Sequence, residues 1–367
     1  MPSEISQLVD ELVAQMKSGS IAGYRRALSR LGESARAGGP ASSTATVEAL
    51  APWLPGLAGD FAKTAVLAGA CVEWGGSPMA LADVLPRRAA EAMMLNDLVP
   101  GCWAEAAPGL PLPEQVSGST RELVQALATL AGPEGRPDEE DMTRIAMSWF
   151  DMEDWLGALI TVLGHARFRA AVPAEVKAEL RTYAAAVADR SQRAAWVRDL
   201  AAVLDDEPLV VLHPPARRGY LLTMSGVGDN FQLHTLLADR LVGDADQGLV
   251  PGERPARSWV VAATDGDPYL GPGNPALRRF RLFDGHGAYV HPEGVPADIE
   301  PLDGTRVLVL HPPNGNYGMG VGRVFQDMIP TLGLDRVLAP DEAERWLTRV
   351  APAVESDLMA SRPGSRT

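Results

Sequence analysis

Apolar positions in the first half of the chain recur at helical spacing. Ile5, Leu8, Val9, Leu12, Val13 and Met16 fall on one side of a 3.6-residue period, which predicts an amphipathic first helix ending near Gly19. The same pattern, punctuated by Gly and Pro, predicts further helices near 21–32, 43–51, 60–73, 79–95, 118–131, 139–168, 174–189 and 190–204. The segment 139–168 carries the clearest signal. Asp138, Glu139, Glu140 and Asp141 place negative charge where a helix dipole favours it, and Ile145, Trp149, Met152, Trp155, Leu156, Leu159, Ile160 and Leu163 form a stripe wide enough to need neighbouring helices over it. Pro108, Pro111 and Pro113 mark 100–117 as a loop, dividing the helical half into sub-bundles 1–99 and 118–204.

After Asp205 and Asp206 the pattern shortens and becomes rich in β-branched residues. Strands are expected at 209–213, 220–226, 258–264, 280–285, 288–291 and 306–311, with helices at 231–242, 324–329 and 344–350. Asp341 and Glu344 are spaced as a capping box for the last helix. The fold class that follows is a mostly α N-terminal helical bundle or irregular helical-hairpin array over 1–204, then a smaller α/β domain with a mixed sheet over 205–356. A disordered tail is expected over 357–367.

The length of 367 residues favours two cores over one. A net charge of −14 disfavours nucleic acid, whose phosphates require clustered Lys and Arg, and disfavours anionic membranes on the same physics. The opening residues contain no basic segment leading into an apolar run, and each apolar stretch is interrupted before about 18 residues, so a cytoplasmic location is expected. Lys17, Lys63 and Lys177 are the only lysines, a skew we attribute to GC-rich coding. Cys71 and Cys102 have no metal or redox spacing and are expected to be buried thiols.

Candidate chemistry concentrates in the smaller domain. A strand at 220–226, the turn GVGDN, a helix at 231–242 and a strand at 258–264 would form a right-handed parallel crossover. Ser225, Asp229, Asn230, Asp265 and Asp267 would then emerge at one sheet edge, with the helix start pointing free N–H groups at it. Asp229, three residues before Gln232, reads equally as a helix cap. His234, in register with Phe231, Leu237 and Leu241, reads as a core histidine or as a base. Asn314, Gly315, Gly318, Gly320, Gly322 and Arg323 form a glycine-rich loop of the kind that cradles an anion, without the ending of a phosphate-binding loop or the spacing of a dinucleotide fingerprint. The loop 265–275 is long enough to cover the site. His213 and His311 each end an apolar run as LHPP, and a hairpin after His213 would carry it away from Ser225. No cofactor is identified and no metal motif is present.

These residues support two functional expectations. One is a binding or scaffold protein, whose helical half meets a protein or peptide partner and whose α/β half takes a small polar or anionic ligand. The alternative is a hydrolase or group-transfer enzyme with its site at the carboxyl ends of strands 220–226 and 258–264, with Asp229 or His234 as general base, Arg323 stabilising an anionic group and Asp265 or Asp267 holding a metal.

Overall fold

The computed structural model describes residues 4–354, apart from 116–117, 119, 133–136, 266–268, 314–319, 324 and 326–327. The chain divides into two compact units, Met1–Ala202 and Val203–Thr367. The expected tail at 357–367 lies outside the described residues.

The N-terminal unit is helical. Its elements are α1 (Glu4–Lys17), α2 (Ile21–Ala37), α3 (Gly39–Leu50), α4 (Lys63–Glu73), α5 (Val84–Ala106), α6 (Thr120–Ala128), α7 (Glu139–Leu163), α8 (Ala166–Ala171), α9 (Ala174–Val187) and α10 (Gln192–Ala201). Ser20, Asp138 and Ser191 cap α2, α7 and α10 by accepting from Gly23 N, Asp141 N and Ala194 N. The long helix α7 packs against α4, α5, α6 and α10 and buries Ile145, Met152, Trp155, Leu156 and Leu159. Its approach to α4 requires Gly69, since a Cβ there would sit 3.1 Å from the Ala158 Cα.

Two helix ends differ from expectation. α7 stops at Leu163 rather than continuing to 168, and the buried Arg169 donates to the carbonyls of Leu163 (2.7 Å) and Gly164 (3.0 Å), closing the helix end. α5 runs through Pro100 to Ala106, where a loop was expected. Proline removes the N–H that would meet the Asn96 carbonyl. Arg190 supplies the replacement: its Nη2 donates to Asn96 O at 3.4 Å and its Nε to Asn96 Oδ1 at 3.3 Å. Val99 and Trp103 are buried against Leu123, Leu127 and Met142, which holds the helix beyond the proline.

The C-terminal unit contains β1 (Glu207–His213), β2 (Arg218–Ser225), α11 (Asn230–Leu241), β3 (Val242–Gly243), β4 (Val250–Pro251), α12 (Arg257–Thr264), β5 (Arg281–Asp284), β6 (Pro301–Leu302), β7 (Thr305–His311), β8 (Thr331–Val337) and α13 (Pro340–Leu347). The main sheet runs β5-β7-β1-β2-β8, with β6 also on β7. β1 and β2 form the expected antiparallel hairpin, and the only parallel pair in this sheet among the described residues is β1 with β7. These are the two LHPP strands. Both are central and covered on both faces, and that position selects continuous apolar runs.

One face of the sheet packs Leu209, Val211, Tyr220, Leu222 and Met224 against Leu233, Leu237 and Leu241 of α11. The opposite face packs Val210, Leu212, Phe283 and Val309 against Ala343 and Trp346 of α13.

Several sequence expectations are corrected here. Residues 258–264 are helical within α12, so the parallel crossover does not form: Val260 and Ala263 are buried three residues apart, a helical period inside a β-branched run. Residues 288–291 form no strand, only an isolated bridge between Phe283 and Tyr289 after the left-handed Gly287 (φ 84°). The helix expected at 324–329 falls partly outside the described residues, and Met328 and Ile329 are not helical. The last helix begins at Pro340 behind Ala339, and Asp341 pairs with Arg345 at 2.7 Å instead of capping. β8 was not anticipated.

Candidate functional site

The start of α11 is closed by its own sequence. Asp229 is the N-cap and its Oδ1 accepts from Gln232 N at 2.8 Å, while Gln232 Oε1 accepts from Gly228 N at 2.8 Å. Gln232 Nε2 continues to Ala263 O at 3.1 Å, tying α11 to α12. Asn230 is buried, its N–H donating to Gly294 O (2.9 Å) and its Nδ2 to His291 O (2.7 Å). The first N–H groups of this helix are therefore occupied, which corrects the expectation that they face a ligand. Burial pushes the Asp229 carboxyl up to about 6, against the N–H groups of Gln232 and Phe231 that favour its charged form.

His234 is 3% exposed, neither ring nitrogen has a hydrogen-bond partner among the described residues, and burial pushes its pKa down to about 4. It is sealed in the core rather than presented as a base. Asn274 fixes the neighbouring loop: Nδ2 donates to Thr235 Oγ1 at 2.9 Å and Oδ1 accepts from Ala276 N at 3.0 Å.

Of the glycine-rich loop, Asn314, Gly315 and Gly318 lie outside the described residues, as does Asp267. Gly320 is buried against Tyr269 and Leu270, with no room for a Cβ, and Leu270 and Val321 form a bridge. Arg323 Nη2 donates to Asp265 O at 3.5 Å. The described part of 265–275 is thus joined to the described part of the glycine loop. His213 lies at the hairpin end of β1, opposite Arg218, and Ser225 at the other end of the β2 ladder.

Ser225 and Asp265 come together elsewhere, in a cleft of about 490 Å³ along β8. The strand side contributes Thr223 and Ser225 of β2, Thr331 to Gly333 of β8, and the preceding Ile329 and Pro330; the helix side contributes Leu236 and Arg240 of α11 and Val260, Thr264 and Asp265 at the end of α12. Asp206, held at φ 52°, closes one side. Its N–H donates to Ser225 Oγ at 2.7 Å, and Ser225 Oγ donates to Asp206 Oδ1 at 3.0 Å. Arg240 Nε donates to Leu332 O at 2.9 Å, and Thr223 Oγ1 donates to Asp335 Oδ2 at 2.8 Å.

Asp229, Asn230, His234, Gly320 and Arg323 do not line this cleft. The residues missed from sequence are Asp206, Thr223, Arg240 and Thr264. Arg240 and Thr264 each stand on a helix, and their convergence depends on the unanticipated β8 and on α12 being helical.

Chemically, the cleft offers two carboxylates, one guanidinium and several hydroxyls above an apolar floor. Groups of that kind can orient a polar molecule through hydrogen bonds. Among the described residues no three His, Cys, Asp or Glu side chains gather as a metal site. Cys71 is buried, which pushes its thiol up to about 12, whereas Cys102 is only half-buried, a correction to the expectation of two buried thiols. No helix of the described residues is long and apolar enough to cross a membrane. No known protein family model, curated protein sequence or solved structure matches the chain.

Proposed function

We propose that this is a binding protein whose C-terminal unit takes a polar ligand in the β8 cleft. The observation that carries this reading is the meeting of Ser225, Asp206, Arg240, Thr264 and Asp265 around one opening, with neither candidate base among its lining residues. Asp229 acts as a helix cap and His234 is enclosed, so neither residue named as general base in the hydrolytic alternative lines the cleft, which supports the binding reading. The carboxylates outnumber the arginine, which favours a ligand with a positive group or many hydroxyls over the anion expected from the glycine loop.

The helical unit offers a separate surface for a partner. A groove of about 480 Å³ along α2 and α4 is lined by the exposed Val66 and the half-buried Leu28, Leu67 and Trp74, with charges of both signs around them, Arg25, Arg36 and Lys63 beside Glu33 and Asp154.

Thermal denaturation of the full chain against spermidine, myo-inositol, inorganic phosphate and short synthetic peptides tests the cleft. A ligand present at about 100 times its Kd stabilises by about 2.7 kcal/mol, enough to read as a shift in Tm. Spermidine, inositol or a peptide is expected to produce that shift, and Thr264→Trp, which fills the cleft, to abolish it. A shift that survives Thr264→Trp places the ligand elsewhere.

A further inference from the structure

We infer that the ligand of this cleft is an extended peptide segment of another protein, which adds to the sheet as a strand beside β8. The inference rests on the binding reading above and names its ligand class.

β8 ends the sheet and, among the described residues, pairs only with β2. An unpaired edge presents a row of N–H and C=O groups, and an incoming chain satisfies them by main-chain hydrogen bonds. Arg240 identifies which groups face outward: its Nε meets the Leu332 carbonyl, so that carbonyl points away from β2. Backbone groups alternate sides along a strand, and the register is regular from Thr331 to Leu334, so Leu334 faces outward with Leu332. Arg240 thus occupies one position that a neighbouring strand would fill.

Charge is distributed unevenly along this edge. Asp335 and Arg336 stand in the second half, where the register breaks; Asp335 is held by Thr223, and Arg336 by Glu342 at 2.7 Å. Charges and irregular register are devices that discourage strand addition. The first half, Thr331–Leu334, carries no charge, and its residues Thr331, Leu332 and Gly333 line the cleft.

The opposite wall makes this more than a bare edge. Val260 and Thr264 of α12 face the strand across an opening that ends at solvent-exposed Ile329 (60% exposed). An extended peptide places alternate side chains on opposite sides. One set would enter the apolar floor toward Val260, while the backbone bonds to β8. Asp206 and Asp265 at the rim, with Arg240 already engaged to Leu332, select a peptide carrying a basic residue.

The test uses the full chain and a phage-displayed random dodecapeptide library, with the selected peptide resynthesised and titrated by calorimetry. Selected peptides are expected to contain Lys or Arg beside an extended stretch. Methylating alternate backbone nitrogens of that stretch should weaken binding at least tenfold, and Leu334→Pro should weaken the unmodified peptide equally, because the lost N–H faces away from β2. Peptide methylation leaves the protein unaltered, so protein folding does not enter that comparison. Equal binding of every methylated form overturns strand addition. Failure to select any peptide, with spermidine or inositol binding that Thr264→Trp abolishes, overturns the peptide while leaving the binding cleft in place. Pairing of two copies through β8, seen as a dimer that Leu334→Pro dissolves, also overturns it. Absence of every ligand overturns both readings.

Discussion

At the residue scale, the polar side chains of the C-terminal unit divide into those enclosed within the fold and those that line the β8 cleft. Asp229 and Gln232 exchange capping bonds around the start of α11, and Asn230 is directed into the 291–294 turn. His234 is the costly member of this group, since its enclosed imidazole has no hydrogen-bond partner among the described residues, and the same burial disfavours its protonated form. Its folded pKa of about 4 lies below the ordinary value of 6.5, so the unfolded chain takes up the proton first. Stability from His234 is present above pH 6.5 and is lost as pH falls toward 4, by on the order of 3 kcal/mol at most. Asp229 and Asp151 act oppositely. Burial raises both to about 6, so their contribution is greatest below the unfolded carboxylate value and declines as pH rises through 6. Replacing His234 by Leu isolates the histidine: urea denaturation at pH 7.5 and pH 5 should show His234→Leu gaining stability relative to the native chain at the lower pH. An identical difference at both values would show that the ring titrates in the folded chain as it does in the unfolded one.

These assignments were partly legible in sequence. The Asp229-x-x-Gln232 spacing and the apolar register of His234 each gave the structural role as one of two readings. Nothing in the sequence distinguished them, because the decision depends on the 291–294 turn and on Ala263, both remote along the chain.

At the element scale, the readable signals were the long periodic stripes and the hairpin. The acidic start and aromatic stripe of α7 predicted a buried, well-capped helix, and only its last turn differed. Short apolar runs were ambiguous. SWVVAAT combines β-branched residues with alanines, and burial of Val260 and Ala263 against the rest of the unit makes it a helix. β8 was hidden because an edge strand with Gly333, Asp335 and Arg336 has a mostly polar face and no clean alternation.

Pro100 provides an element-level test, since an interior proline ordinarily costs about 3 kcal/mol relative to alanine. Arg190 meets the carbonyl that Pro100 leaves without a donor. Pro100→Ala should therefore reduce the penalty of Arg190→Ala, giving a coupling of about 1 kcal/mol in a double-mutant cycle followed by chemical denaturation. Strict additivity would mean that Arg190 contributes only through Asn96 Oδ1 and its contact with Asp97.

At the scale of the whole molecule, the chain joins a helical unit to a mixed α/β unit. The class of each half followed from periodicity alone. The proposed parallel crossover did not, and with it the expected rim dissolved into three places: a capped helix start, a packed glycine segment and the β8 cleft. Ser225 and Asp265 meet in the last of these by a route that the sequence did not indicate. The proposed binding role draws together the uncharged half of the edge strand β8, the facing wall of α12 and the carboxylates at the rim.

Amide hydrogen exchange of the full chain, with and without a ligand selected on it, tests that role most directly. The account expects slowed exchange in Thr331–Leu334 and in Arg257–Thr264, with little change across 228–234. Protection confined to 228–234, with β8 exchanging as it does in the free protein, would contradict it.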